Sequence, residues 1–406
     1  MLLYFRKNLI LSFIIGVISG LPLALGASTL TLILKERNID IATIGAFAMV
    51  GLPYTFKFLW APLLDNLKIG YISDTLGRRK TQLLIITSLL VVAIVSLGFM
   101  QEILQVKYLA FLALSITFLS ASNDIVLDAM RVEMLSDADQ AAGSSMATSG
   151  YRAAMLISSA GSLVIANFLN WQMAYLTMGI VLMSLTAVYM AVYRESNVQQ
   201  GTASVISISS IFLNPLRDIY RRTNFFYVLG FVVFFKMSDA LVTALTSVFL
   251  IDIGFTLVDI AFAIKTFGVG ATIAGSFLGG YLASKMTLKK FLVLGLLLQM
   301  SSNLIYLILF YTGSSMPALL LVATVEYSCS GISSAALIGF ISILCNKQFT
   351  ASQYALLSAF AGFARTTIAG ATGLMVSALG WQMFFVITAI ASAPSLLLIN
   401  KATKFK

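Results

Sequence analysis

Apolar stretches of about 20 residues follow one another along nearly the whole chain, separated by short polar segments. A helix of that length is what crosses the hydrocarbon core of a bilayer. The pattern therefore predicts an all-α polytopic membrane protein with twelve transmembrane helices. We place them at residues 9–34, 41–64, 81–100, 108–130, 143–167, 172–193, 225–250, 258–283, 291–311, 317–344, 352–378 and 382–399.

One long polar interruption divides this pattern into two sets of six helices. We predict a six-helix bundle at 1–194, a cytoplasmic linker with a short surface helix at 195–224, and a second six-helix bundle at 225–406. Two motifs repeat at one common offset along the chain: Trp171-Gln172-Met173 as Trp381-Gln382-Met383, and 70–74 as 280–284. A common offset indicates a duplicated unit, and duplicated halves with a site between them are typical of secondary transporters.

Lysine and arginine are distributed unevenly between the two sides of the predicted membrane. If the N-terminus is cytoplasmic, most of the 26 basic residues fall on the inside, and only Lys35, Arg37 and Lys107 fall on the outside. This agrees with the positive-inside rule, so we expect both termini in the cytoplasm. The net charge of +10 then follows largely from topology and predicts no nucleic-acid partner.

Composition narrows the function classes. The chain is 59% hydrophobic and 10% charged, whereas about a quarter of the residues in a soluble domain are charged. No room is left for a soluble catalytic domain, and we expect no enzyme. Because the chain has no histidine, imidazole proton relays and Ser-His-Asp chemistry are excluded. No metal site, no cofactor and no ATP-binding loop are predicted from the sequence.

Charged residues inside the predicted spans mark the candidate site. In the stretch 122–133, Asp124, Asp128 and Arg131 stand at i, i+4 and i+7, so a helix places them on one face. A charge at bilayer depth costs about 2.5–3.5 kcal/mol on insertion scales, so these residues should face other helices or water rather than lipid. Either they form an ion-paired helix end that fastens the bundle, or they form a proton or substrate site. The candidate proton carriers are Asp124, Asp128, Asp239 and Glu326.

Basic residues within the spans are the candidates for binding an anionic substrate. They are Lys57, Arg152, Lys236, Lys265 and Arg365. Lys57 is near a helix end, so its ammonium group can also reach the interface by snorkelling. Lys236 and Asp239 stand at i and i+3, so they can also neutralise each other.

The loop between the second and third predicted spans carries a known pattern. It reads Gly70, three residues, Asp74, two residues, Gly77 and the basic pair Arg78-Arg79. This resembles the cytoplasmic signature loop of the major facilitator superfamily, which implies the major facilitator fold. There the aspartate can meet a helix N-terminus and the arginines a helix C-terminus, forming a conformational latch. Thr75 stands where the family usually has a basic residue.

A narrower resemblance extends over nearly the whole chain. It rests on these stretches: 53–65 (PYTFKFLWAPLLD), 123–129 (NDIVLDA), 131–133 (RVE), 215–218 (PLRD), 236–240 (KMSDA), 344–347 (LCNK) and 354–359 (YALLSA). Together they resemble the anhydromuropeptide permeases of the AmpG type. The resemblance implies proton-driven import of N-acetylglucosaminyl-anhydromuramyl peptides across a bacterial inner membrane, with the sugar-peptide, protons and membrane lipids as partners. Asn123, a further candidate for substrate binding, stands where the family is expected to have Gln, and Met130 where it is expected to have Trp.

Three other functions remain open at this stage. The same fold can carry another anionic solute, such as an acyl-CoA or a siderophore. A polytopic membrane transferase is a more distant alternative, because its usual acidic or histidine-rich loop is missing from the long linker. A sensor or receptor is a third, although the sequence shows no attached signalling domain.

Overall fold

The structure, a computed structural model, describes residues 2–30, 33–34, 50–68, 70–100, 105–194, 208–222, 224–367 and 369–404. Within these ranges every regular element is helical, which confirms the all-α prediction. The helices before residue 195 are α1 (Lys7–Ala24), α2 (Leu52–Phe56), α3 (Ala61–Asn66), α4 (Gly70–Leu76), α5 (Arg78–Met100), α6 (Val106–Met134), α7 (Gln140–Phe168) and α8 (Trp171–Val192).

The helices after residue 207 complete the described structure. They are α9 (Ile208–Arg221), α10 (Phe225–Asp252), α11 (Leu257–Ile260), α12 (Val269–Ala283), α13 (Leu288–Leu304), α14 (Tyr306–Thr312), α15 (Met316–Leu344), α16 (Thr350–Thr367), α17 (Ala369–Ile390) and α18 (Pro394–Ala402). Among the described residues, eight helical stretches are long and apolar enough to cross a membrane. Described helices fall within each of the twelve predicted spans.

Several predicted spans contain breaks in the α-helix. Residues Leu25–Thr29 continue α1 as a π-helix, and Ala261–Gly268 join α11 to α12 in the same way. Gly380 breaks α17, because its φ of 74° lies in the left-handed region that glycine tolerates. The break separates the eleventh and twelfth predicted spans, as the hydrophobic pattern requires.

The second predicted span is interrupted rather than continuous. After α2, residues Lys57–Leu59 form a 3-10 turn, and α3 restarts at Ala61. Pro62 lies in the first turn of α3, where its missing N–H leaves no helical bond unmade. The proline therefore fits a restarting helix but not the middle of a continuous one.

The described chain groups into two compact units. The first contains Met1–Leu135, Gly150–Pro215 and Cys345–Ala355, and the second contains Ser136–Ser149, Leu216–Leu344 and Leu356–Lys406. Each has its own apolar core, built around side chains such as Ile94 and Leu127 in the first and Phe249 and Phe385 in the second.

Close helix crossings in each unit depend on glycine. In the first unit, a Cβ on Gly20 of α1 would overlap the carbonyl oxygen of Tyr151 in α7. In the second, a Cβ on Gly275 of α12 would overlap the carbonyl oxygen of Ser328 in α15. These crossings fix how the polar residues on neighbouring helices meet.

Candidate functional site

Helix α6 carries the polar residues on which the first unit's site is built. From Ser120 to Glu133 almost every side chain of this helix is buried. Asp124 is 9% exposed and Arg131 is 1% exposed, so neither is left facing lipid. The burial of these two side chains agrees with the expectation that the charges of this stretch face other helices or water, and Asp128 is 26% exposed.

Two neighbouring helices supply neutral partners to α6. The hydroxyl of Ser19 in α1 donates to Oδ1 of Asp124 at 2.5 Å. The hydroxyl of Thr87 in α5 donates to Oδ1 of Asn123 at 3.1 Å. Asp124 is thus a buried carboxyl bonded to a hydroxyl, and the ion pairs of the described residues do not include it.

Asp128 lies one turn further along α6, between two cations. Its Oδ2 is 3.7 Å from Nζ of Lys57, and its Oδ1 is 3.6 Å from Nη2 of Arg131. Both distances exceed the 2.7–2.9 Å or so of a charge-assisted hydrogen bond, so the carboxylate is attracted by both cations but tightly bonded to neither. Lys57 reaches this position from the 3-10 turn that interrupts the second span.

The interrupted span also brings aromatic side chains to α6. The hydroxyls of Tyr54 and Ser120 lie 2.6 Å apart, and Nε1 of Trp60 donates to Oγ of Ser122 at 3.0 Å. The Trp60 ring packs on Phe118 with 4.8 Å between centroids. Sequence reasoning did not single out these aromatic residues, although both flank the prolines of the second span.

The beginning of α16 packs on this same region of the first unit. The Arg131 guanidinium lies 5.3 Å from the ring centroid of Tyr354, close enough for a cation–π contact. Arg131 therefore touches Asp128 on its own helix and an aromatic ring on α16.

A second charged cluster lies at the ends of α3 and α6. Nη2 of Arg79 is 2.8 Å from Oδ1 of Asp65 and 2.7 Å from Oε1 of Glu133. All three side chains are nearly inaccessible. Burying this many charges is tolerable only because each is paired and hydrogen-bonded.

Asp65 also binds the N-terminus of α16. Its Oδ2 accepts from the backbone N–H of Ser352 at 2.8 Å and from the Ser352 hydroxyl at 2.5 Å, and its Oδ1 accepts from the N–H of Ala351 at 3.2 Å. A carboxylate is favoured there because the first N–H groups of a helix lack helical partners and carry partial positive charge. Asp65 and Glu133 were not among the candidates from sequence, although Asp65 ends the stretch 53–65.

The predicted latch loop adopts a related arrangement. Arg78 donates to the carbonyl of Asp65, and Arg79 to that of Leu64, so both arginines cap the C-terminus of α3. Gly70 and Gly77 have φ values of 48° and 95°, which bound α4 with two turns that favour glycine. Asp74 is exposed on α4, and it is Asp65 that meets the N-terminus of α16.

The second unit holds a separate lysine–aspartate pair. Nζ of Lys236 lies 3.0 Å from Oδ2 of Asp239, one turn along α10. Two serines of α15 complete the cluster: Ser334 accepts from Lys236, and Ser330 donates to Oδ1 of Asp239, each at 3.0 Å. Glu326 is also on α15 and is 3% exposed.

Three basic candidates remain, namely Arg152, Lys265 and Arg365. Arg152 is half-buried on α7 in the first unit. The side chains of Lys265 and Arg365 lie outside the described part of the chain. Among the described residues, no group of three or more Cys, Asp or Glu side chains is placed to hold a metal ion.

Comparison with known families defines the class of this helical protein. The sequence profile of the Major Facilitator Superfamily matches residues 12–275. The structure of the proton:xylose symporter XylE superposes with a TM-score of 0.69 at 13% identity, covering 99% of this chain and 96% of that one. FucP in its outward conformation gives 0.70 at 13% identity, covering 98% and 99%. Fold and family together make this a membrane transporter of the major facilitator superfamily, not an enzyme.

Sequence relatives narrow the class further. A Rickettsia felis protein named as transporter AmpG 4 is 35% identical over 396 residues, 97% of this chain and 95% of its own length. The anhydromuropeptide permease of Escherichia coli K12 is 36% identical over 389 residues, 95% of this chain and 78% of its own length. The chain belongs to the AmpG-type permeases of this superfamily.

Proposed function

We propose that this permease imports N-acetylglucosaminyl-anhydromuramyl peptides across the bacterial inner membrane together with protons, with both termini in the cytoplasm. The substrate class comes from the anhydromuropeptide permease relative. The Lys/Arg asymmetry supports the orientation, and the direction of transport, import, is what the resemblance to the permease family implies. The proposed transport unit is the pair of six-helix bundles at 1–194 and 225–406.

The observation that carries the proposal is the cluster around Asp128. Lys57 and Arg131 hold this carboxylate at 3.7 and 3.6 Å, longer than good charge-assisted hydrogen bonds. A carboxylate of the cargo can therefore compete for both cations without first breaking a tight pair. Asn123 lies on the same helix, and Tyr54 and Trp60 offer aromatic surface for the sugar. The other acidic groups of the cargo are assigned to the remaining basic candidates, Arg152, Lys236, Lys265 and Arg365.

Proton coupling is assigned first to Asp124. Its carboxyl is buried, and its described partner is the Ser19 hydroxyl rather than a cation. Taking a carboxylate out of water is unfavourable when no cation bonds to it directly, so a group in this setting is suited to bind and release a proton. Asp128, Asp239 and Glu326 are the next candidates.

The membrane potential bears on how many protons accompany each cargo molecule. Moving one elementary charge across 100 mV involves about 2.3 kcal/mol. A cargo of net charge −1 that enters with one proton moves no net charge, so the potential neither drives nor opposes it. Accumulation then needs a pH gradient or a second proton. Asp124 and Asp128, one helical turn apart, provide two carboxyls for this purpose.

The proposed conformational latch consists of the loop residues and the buried cluster beside them. Its members are Gly70, Asp74, Gly77, Arg78 and Arg79, extended by Asp65 and Glu133. The cluster binds the N-terminus of α16 through Asp65.

The latch is tested by replacing Asp65. Asp65→Asn weakens charge-assisted bonds worth about 1.5–3 kcal/mol, so uptake should fall at least about tenfold. Asp74→Asn, which removes an equal charge from an exposed site, should leave uptake within about twofold; an equal loss in both variants would move the latch to the loop.

The function itself is tested with purified protein in proteoliposomes. Labelled N-acetylglucosaminyl-anhydromuramyl tripeptide is added outside while an inward proton gradient is imposed. We expect accumulation that a protonophore abolishes and that unlabelled tripeptide, but not an acyl-CoA or a siderophore, competes away. Uptake unaffected by the protonophore would contradict proton coupling. Competition by the acyl-CoA or siderophore alone would reassign the cargo.

A further inference from the structure

Helix α9 presents an exposed face of mixed apolar and basic character. The side chains of Leu213, Leu216 and Tyr220 are large and mostly apolar, yet they are 52%, 46% and 62% exposed. They stand at i, i+3 and i+7, which places them along one side of the helix. Arg217 and Arg221 are exposed beside this stripe.

The opposite face of α9 is directed into the protein. Pro215 and Ile219 are buried there. Asp218, the acidic residue of the helix, is paired with Arg222 at 2.6 Å and is therefore neutralised. The outward face thus carries an apolar stripe with a basic edge formed by Arg217 and Arg221, neither of which belongs to an ion pair within the described residues.

The position of α9 points to a lipid surface as the occupant of this face. Three residues separate the end of α9 from α10 (Phe225–Asp252), a helix long and apolar enough to cross a membrane. The Tyr220 ring lies 5.9 and 6.0 Å from the rings of Phe225 and Phe226, so the stripe continues into the first turn of that span. Aromatic rings and arginines are the side chains that favour the headgroup region. The Lys/Arg asymmetry places this end of the span at the cytoplasmic leaflet, where anionic lipids attract basic residues.

Pro215 of α9 and Arg222, the residue that follows this helix, contact the two ends of the segment 344–353. Nη1 of Arg222 donates to the carbonyl of Leu344, the last residue of α15, at 2.7 Å. The carbonyl of Pro215 accepts from Nε2 of Gln353 at 3.3 Å, and Oε1 of Gln353 accepts from the N–H of Asn346 at 2.8 Å. This segment leads directly into Ser352 and Ala351, which bind Asp65.

We propose that the outer face of α9 binds the anionic phospholipid headgroups of the cytoplasmic leaflet, and that this contact steadies the segment 344–353. Leu213, Leu216 and Tyr220 enter the boundary of the acyl chains, while Arg217 and Arg221 bind phosphate groups. Lipid charge then regulates how firmly the N-terminus of α16 is held. The inference goes beyond cargo transport and needs no assumption about the cargo.

Docking is tested with the full-length protein in nanodiscs of phosphatidylcholine alone or mixed with phosphatidylglycerol. Leu213→Cys is labelled with a polarity-sensitive fluorophore in a Cys329→Ser, Cys345→Ser background. We expect blue-shifted emission in the anionic discs. Each arginine near an anionic surface is worth about fivefold in binding, so Arg217→Gln with Arg221→Gln should weaken docking about 25-fold. The matched control, Lys289→Gln with Lys290→Gln, removes an exposed basic pair elsewhere and should leave the shift intact.

Three results would overturn the docking. They are equal emission in both kinds of disc, equal loss of the shift in the control pair, and a shift in detergent that grows with protein concentration. The last would show that a second copy of the chain covers the face.

The link to segment 344–353 is measured by hydrogen exchange of the unlabelled wild-type protein in the same discs. Amides of Asn346, Ala351 and Ser352 should exchange more slowly in anionic discs than in phosphatidylcholine. This difference should vanish in the Arg217→Gln, Arg221→Gln variant. If docking occurs but the exchange rates do not change with lipid charge, the regulatory part of the proposal is wrong.

Discussion

The Lys236–Asp239 pair of the second unit and the Lys57–Asp128 pair of the first are made from the same two residue types. Lys236 and Asp239 lie within one helix at i and i+3, with 3.0 Å between Nζ and Oδ2, and two serines complete their hydrogen bonds. The Lys57–Asp128 pair joins a 3-10 turn to α6, with 3.7 Å between Nζ and Oδ2, and its aspartate also lies near Arg131. A pair formed within one helix is brought together when that helix forms, and here the serines of α15 add hydrogen bonds to both partners. A pair assembled across the fold can exchange partners, which is the property that a transport site needs.

The largest expected effect is the loss of stability when a cation is removed from a buried network assembled across the fold, compared with the loss when one is removed from a local pair. Arg79→Gln leaves the buried carboxylates of Asp65 and Glu133 without their shared cation, which should cost about 3–5 kcal/mol of stability. Lys236→Gln, in the partly exposed local pair, should cost about 1 kcal/mol or less. The thermal unfolding midpoint in detergent, followed by size-exclusion chromatography, measures both. Equal shifts in the two variants would mean that burial and range do not distinguish these clusters.

Exchanging the two charges within each pair sharpens the comparison. In Lys236→Asp with Asp239→Lys, both residues stay on α10, and the serine hydroxyls can donate or accept, so the yield of folded protein should stay near that of the wild type. In Lys57→Asp with Asp128→Lys, the new ammonium group lies beside Arg131, so like charges are forced together and the yield should fall several-fold. The amount of monodisperse protein extracted from membranes gives the readout. A normal yield from the second exchange would show that Arg131 does not hold residue 128.

The sequence predicted local relationships well. The apolar stretches gave the helices, the i, i+4, i+7 spacing placed Asp124, Asp128 and Arg131 together on α6, and the i, i+3 spacing anticipated the Lys236–Asp239 pair. Spacing along one helix determines such contacts, because the helical period is fixed.

Contacts between distant parts of the chain were not predictable in the same way. Ser19 bonds to Asp124 across 105 residues, and Asp65 bonds to Ser352 across 287. Which residues meet depends on how far each helix slides along its neighbour, and close crossings such as that of Gly20 on Tyr151 set this register. The loop motif predicted a latch role for Asp74, whereas Asp65 is the residue that bonds to α16. Spacing along the chain cannot tell which of these two aspartates reaches another helix.

A smaller effect, on the affinity for the cargo, is expected from removing Lys57, the cation that reaches Asp128 from another part of the chain. Lys57→Gln should raise the half-saturation concentration for labelled tripeptide about tenfold, since a hydrogen bond to a charged group is worth about 1.5–3 kcal/mol. Lys57→Arg should recover most of the affinity. Lys68→Gln, an exposed lysine near the same predicted span, serves as the neutral control. A half-saturation concentration unchanged in Lys57→Gln would remove this lysine from the binding site.

We propose that the proton carrier is Asp124, whose carboxyl is buried and bonded to the Ser19 hydroxyl and forms no ion pair within the described residues, rather than Asp239, which is bonded to Lys236 and Ser330. The direct measurement compares Asp124→Asn and Asp239→Asn in proteoliposomes, with gradient-driven accumulation and cargo exchange between the two sides assayed on the same preparation. We expect Asp124→Asn to lose accumulation yet still exchange labelled for unlabelled tripeptide, and Asp239→Asn to retain both activities. Accumulation by Asp124→Asn on an imposed proton gradient, with its loss in Asp239→Asn, would contradict the account and assign the proton to the second unit.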